Sequence, residues 1–264
     1  MTLAVPTAGM HPARYAVRDH VAVTGRNLRR MVRSPDALIL GLALPVLLLV
    51  LFVYVFGGAI ATGTDYLDYV VPGIVLLSAS FGAAQTAVSV ASDMQRGIVD
   101  RFRSMPIARS AVLTGHVAAS LIRNLASTAV VIAVAALMGF RPDATVVEWA
   151  AALGVVALFV LAVSSVSAAL GMLAGNEEAA SGFTFFLLFL PYVSSAFVPP
   201  DTMPGWLRGF AEHQPVTPVI ETVRGLLTGT PIGTSGLLAV VWCGAFTVTG
   251  LVAATAVFRR RTAQ

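Results

Sequence analysis

The stretch Asp93–Pro106, "DMQRGIVDRFRSMP", places Asp93, Arg96, Asp100, Arg101 and Arg103 within fourteen residues of a chain that is only 11% charged. Read as a helix from Met94 to Met105, it sets Ile98, Phe102 and Met105 on one face and Arg96, Asp100 and Arg103 on another. Arg96 with Asp100, and Asp100 with Arg103, then have the spacing of helix-surface ion pairs, and Pro106 ends the helix. This is docking chemistry rather than bond-making chemistry. Such a helix either lies solvated at a membrane surface or offers Phe102 and Met105, ringed by mixed charge, to a groove on a partner.

Residues for other chemistries are missing or misplaced. All seventeen basic residues are arginine, so the chain lacks the lysine with which a Walker A loop reaches the β- and γ-phosphates. His11, His20, His116 and His213 fall outside the apolar segments or at their edges, which argues against haem ligation and a metal cluster. The expectation is therefore a chain with no catalytic residue, no metal and no cofactor of its own. An ion-coupled carrier would place ionisable side chains deep in the membrane. Arg123 is the one candidate, and its place at the start of the third apolar segment allows it to snorkel to the interface.

Polar side chains inside the apolar segments are sparse. Gln85 and Ser89 stand one turn apart, and Ser194 and Ser195 are adjacent. They are candidates for a substrate path, or they bond to neighbouring helices at about 0.6 kcal/mol each. Phe183, Phe185, Phe186 and Phe189 read as lipid-facing or packing residues. Glu177 and Glu178 either touch a partner or end a helix in water.

Lipid is the solvent that positions these residues, since 57% of the chain is hydrophobic and a bilayer-spanning helix needs about 20 residues free of charge. Six such intervals exist. They predict helices over Ala37–Gly57, Tyr69–Ala91, Leu121–Phe140, Val146–Leu173, Gly182–Val198 and Gly236–Phe258. Arg14, Arg18, Arg26, Arg29, Arg30 and Arg33 precede the first span, and Arg259, Arg260 and Arg261 follow the last. The positive-inside rule makes both flanks cytoplasmic, with Asp65 and Asp68 outside.

No cleavable signal peptide is read in the first 36 residues, which lack an apolar core. Arg26, Arg29, Arg30 and Arg33 share one face of an expected interfacial helix, which ends at Pro35. The outer segment Pro199–Ser235 carries Trp206, Leu207 and Phe210, then Val219, Val223, Leu226 and Leu227, at helical spacing. Two short amphipathic helices parted by Pro215 and Pro218 fit it, as a lid on the outer leaflet or dipping back among the spans. Cys243 is the only cysteine, so an intrachain disulfide is excluded.

The fold expected is an all-α polytopic membrane protein. Residues 1–36 form its cytoplasmic N-terminal segment, 37–258 its transmembrane domain and 259–264 its cytoplasmic tail. A chain so built shows no energy source of its own, and energy must come from another subunit.

The stretch "GIVDRFRSMPIARSAVLTG" resembles the cytoplasmic motif of ABC type-2 export permeases, with Gly97, Asp100, Pro106, Ile107 and Arg109 at the recurring positions. Together with "SSAFVPPDTMPGWLRGFAEHQPVTP" at Ser194–Pro218, it resembles the daunorubicin/doxorubicin-resistance branch. Ile98 and His116 depart from the commoner threonine and lysine.

The resemblance implies a permease that pairs with a second copy of itself or a related permease, and with two ATP-binding cassette subunits that bind ATP and magnesium. It implies a coupling helix, made here of Gln95, Arg96, Gly97, Asp100, Arg101, Phe102, Arg103 and Met105. It also implies a path between the second and fifth spans in a bacterial plasma membrane, with no nucleic-acid partner. The implied cargo is a drug or hydrophobic natural product moved outward, or else a lipid or polyketide-like envelope component. A secondary carrier or a passive membrane scaffold is the reading from outside this class.

Overall fold

The computed structural model describes residues 21–29, 35–97 and 109–262. These residues form helices and loops, with no strand among them. Helix α1 covers 21–29, and α2 runs Pro35–Leu51 and continues as a π-helical turn, Phe52–Phe56. Pro35 therefore opens α2, where its missing N–H costs nothing. Then come α3 (Tyr66–Gln95), α4 (Arg109–Leu137), α5 (Val146–Leu173) and α6 (Glu177–Phe189). Two short helices, α7 (Gly205–His213) and α8 (Val216–Thr228), precede α9 (Ser235–Thr262).

Among the described residues, four stretches are long and apolar enough to cross a membrane: Tyr66–Gln95, Leu113–Leu137, Val146–Leu173 and Ser235–Val257. Gly41–Phe56 is apolar but shorter. The expected fourth span coincides with α5 at both ends. Its start is fixed by a capping box, in which Thr145 and Glu148 satisfy each other's backbone N–H groups.

Two of the sequence-derived spans differ. The third begins twelve residues earlier than expected, at Arg109, so Arg123 lies within the helix and not at its entrance. The fifth expected span is not one continuous helix to Val198. Here α6 starts earlier, at Glu177, and gives way at Leu190–Val193 to a 3₁₀ turn. Pro191, in the first turn of that segment, is the cause, because it lacks the N–H that would continue the α-helical hydrogen bonds. Asn176 caps α6 by accepting from Ala179 N at 2.7 Å, and Glu177 and Glu178 occupy its first turn, where the helix dipole favours negative charge.

Helix α3 is the hub. It packs against α2, α4, α5, α6 and α8, and Ile74, Leu76, Leu77, Val70 and Val71 are among the most deeply buried side chains. Small residues let the helices close on one another. A Cβ on Gly171 of α5 would sit 2.3 Å from the Ala87 carbonyl oxygen of α3, and one on Gly250 of α9 would sit 2.7 Å from Ser165 backbone on α5.

The two short helices are divided near Pro215, as their spacing predicts, yet they part company in environment. Trp206 on α7 is 80% exposed, while Val219, Ile220, Val223 and Leu227 of α8 are buried against α3, α5 and α9. Thus α8 dips among the long helices. Only α7 is left to lie on a surface, braced by ion pairs from Arg208 to Asp201 and Glu212. The hydrogen bond to Glu212, with the charge of Asp201, holds the Arg208 guanidinium above its ordinary pKa.

Candidate coupling end and intramembrane polar seam

One end of the bundle gathers the close of α3, the start of α4 and helix α1. Asp93 is 1% exposed, and its Oδ2 accepts from Arg26 Nη2 of α1 at 2.5 Å and lies 3.2 Å from His116 Nε2 of α4. Val23 seals the same junction. It is buried where Gly115 leaves room, since a Cβ there would meet Val23 Cγ1 at 2.6 Å. Helix α1 is thus fastened to the bundle rather than held by lipid charge alone. Arg29 is exposed on it, whereas Arg30 and Arg33 lie outside the described residues.

The predicted docking stretch leaves from this clasp. Gln95 Nε2 donates to the Gly175 carbonyl at 3.4 Å, which ties the end of α3 to the α5–α6 loop. Arg96 caps α3 by donating its N–H to Ser92 and Met94 carbonyls. Gly97 follows with φ +63°, a left-handed conformation that stops the helix and favours glycine. Asp100, Arg101, Phe102, Arg103 and Met105 lie outside the described residues.

A polar seam runs from this end into the bundle between α3, α4 and α5. Ser120 and Ser164 hydroxyls are 2.8 Å apart, as are Ser78 and Ser127. Between them, Arg123 Nη2 donates to the Gly82 carbonyl, to Thr86 Oγ1 at 3.3 Å and to Ser120 Oγ at 3.5 Å. Arg123 is thus bonded within the bundle. It reaches across to α3 from the midpoint of α4. Asn124 Nδ2 donates to the Ser120 carbonyl at 2.9 Å, and a Cβ on Gly82 would fall 1.9 Å from Asn124 Oδ1, so only glycine admits this approach.

The four predicted path residues divide between two places. Gln85 is exposed and Ser89 half-buried on the face of α3 beside Gly82. Ser194 and Ser195 are buried at the other end, where Ser194 Oγ donates to the Pro191 carbonyl at 2.5 Å and Ser195 N donates to Thr217 Oγ1 at 3.4 Å. Their level is that of Tyr69, because Arg224 Nη2 of α8 donates both to the Tyr69 carbonyl at 2.9 Å and to the Ser195 carbonyl at 2.7 Å. Sixteen residues of α3 separate Tyr69 from Gln85, a rise of about 24 Å. Phe183, Phe185, Phe186 and Phe189 of α6 are all exposed.

Neither the Asp93 clasp nor the Arg123 seam follows from spacing. Arg26 and Asp93 are 67 residues apart, and no local pattern pairs them. Arg224 carried a weak signal, a charge in an otherwise apolar helix three residues after Glu221, and those two side chains do pair at 2.6 Å.

Long apolar helices around a buried hub, without any cluster of metal-binding side chains among the described residues, define a polytopic membrane protein. Residues 20–228 match the ABC-2 type transporter family, and the chain belongs to it. It is 32% identical over 229 residues to the daunorubicin resistance ABC transporter permease protein DrrB1 of Streptomyces coeruleorubidus, covering 86% of this chain and 81% of that one. It is 25% identical over 250 residues to the probable doxorubicin resistance ABC transporter permease protein DrrC of Mycobacterium tuberculosis, covering 94% and 91%. A putative transport permease, ycf38 of Porphyra purpurea, is 24% identical over 233 residues, covering 86% and 80%. This chain is an ABC transporter permease.

Proposed function

We propose that this permease exports a drug or hydrophobic natural product across a bacterial plasma membrane, powered by two separate ATP-binding subunits. The observation that carries the reading is the family match over residues 20–228, together with likeness along most of the chain to permeases named for daunorubicin and doxorubicin resistance. In this reading α2 and α6 complete six spans with the four long helices, and both ends of the chain are cytoplasmic. A second permease, the same or related, supplies six more around a shared path. Gln85, Ser89, Ser194 and Ser195 are its candidate lining residues.

Residues Gln95, Arg96, Gly97, Asp100, Arg101, Phe102, Arg103 and Met105 form the coupling element in this proposal. Phe102 and Met105 enter a cleft of the ATPase, and Asp100 orders the arginines around them. The clasp at Asp93 supports the assignment, since it anchors the root of the stretch to both α1 and α4.

The test is nucleotide-driven drug transport in proteoliposomes containing this permease and its ATP-binding subunit. Transport that runs without nucleotide would overturn the reading in favour of a secondary carrier. Asp100→Arg is expected to insert normally and to lose both ATPase capture and transport. Single cysteines near Asp65 and Asp201 should react with an impermeant thiol reagent from outside intact cells, and one near Arg103 should not.

A further inference from the structure

Among the described residues Arg123 has no carboxylate partner, although it stands at the midpoint of α4, about 21 Å of helix from either end. A charge among apolar helices is costly, and arginines there pair with other ionisable groups or with backbone carbonyls. The partners of Arg123 are neutral: one carbonyl and two hydroxyls. All three contacts use Nη2, and Nε is buried with no hydrogen-bond partner.

Among the described side chains, the helices around it supply no counter-charge at this level. Between Asp68 and Asp93 the α3 sequence has no charged residue, α5 has none after Glu148, and α6 has none after Glu178. Asp93 lies seven residues of α4 away, at the level of His116, and is engaged with Arg26 and His116. No described side chain supplies an anion at this level, and a ligand would have to bring one.

Its approach is open on the side of α3, which is otherwise the most buried helix. Gln85 is exposed on that helix, and Arg123 itself is only partly buried. We propose that Arg123, flanked by Gln85 and Thr86, binds the oxyanion of an acidic amphiphile, a carboxylate or phosphate carried on an apolar body. Guanidinium suits this role because its remaining donors match planar oxyanions. The inference rests on the transport reading in one respect, that the ligand is cargo. The same chemistry would also be met by the phosphate of an intercalated phospholipid.

The experiment uses the full chain, without an ATPase, in phosphatidylcholine nanodiscs at about pH 9, where a carboxylate is ionised. Binding of a fluorescent long-chain carboxylic acid and of its methyl ester is measured by anisotropy. The acid is expected to bind about tenfold tighter than the ester, as one charge-assisted hydrogen bond allows. Arg123→Gln should abolish that preference without weakening ester binding, and Arg123→Lys should retain much of it. Adding phosphatidylglycerol separates the sources. Competition with the acid in wild type assigns the site to phospholipid phosphate, and undisturbed acid binding assigns it to solute.

Equal binding of acid and ester by wild type would overturn the proposal, and so would a preference that survives Arg123→Gln. The wild-type comparison stands even if a variant fails to fold. Loss of nucleotide-driven transport would sink the export reading while leaving this binding result intact.

Discussion

Two arginines lie among the helices of this permease, and they are held in opposite ways. Arg224 is closed in on every side. Its guanidinium carbon sits 3.8 Å from the centroid of the Tyr69 ring, Nη1 pairs with Glu221 at 2.6 Å, and Nε and Nη2 reach two backbone carbonyls. Arg123 has neutral partners on a single nitrogen and a buried Nε with none. A charge that is fully met fixes structure, whereas one left partly unmet is suited to a ligand.

The sharpest test of that contrast is to remove each charge with an isosteric apolar side chain. Arg224→Met orphans the Ser195 carbonyl and strands Glu221, so unfolding in mixed micelles should become easier by about 3 kcal/mol. Arg123→Met should change stability by less than about 1 kcal/mol, because lost hydrogen bonds are offset by relief of an unpaired buried charge. Equal losses in the two variants would erase the comparison.

Between these extremes stands the Asp93 clasp, which is buried on the carboxylate side and half open on the side of Arg26. A double-mutant cycle with Arg26→Gln and Asp93→Asn should give a coupling energy of about 1 to 2 kcal/mol. Additive effects would mean that this pair does not hold α1 in place. The smallest effect belongs to Arg208, whose partners Asp201 and Glu212 are exposed with it. Arg208→Ala should leave the unfolding midpoint unmoved, within error, at high salt, where surface pairs are screened.

How much of this was legible beforehand follows from what a count of uncharged intervals can register. It places α5 at both ends because charges and caps coincide there, at Thr145–Glu148 and at Asn176–Glu177. It fails at α4, where an arginine bonded across to the Gly82 carbonyl lets the helix run through a charge. It also fails at α6, since Pro191 breaks a helix without carrying charge. The amphipathic spacing finds α7 and α8 but not the burial of α8, which depends on Arg224 meeting Tyr69 and Ser195. The candidate path residues are legible as types, yet their separation into two levels is a property of the assembled bundle.

Helix α3 carries the Asp93 clasp near its last turn and the Tyr69 contact of Arg224 near its first. Its thirty residues, with Pro72 near the far end, span about 45 Å. Because Arg224 binds α8 and the Ser195 turn to that far end, the three are tied together at the opposite face from the clasp.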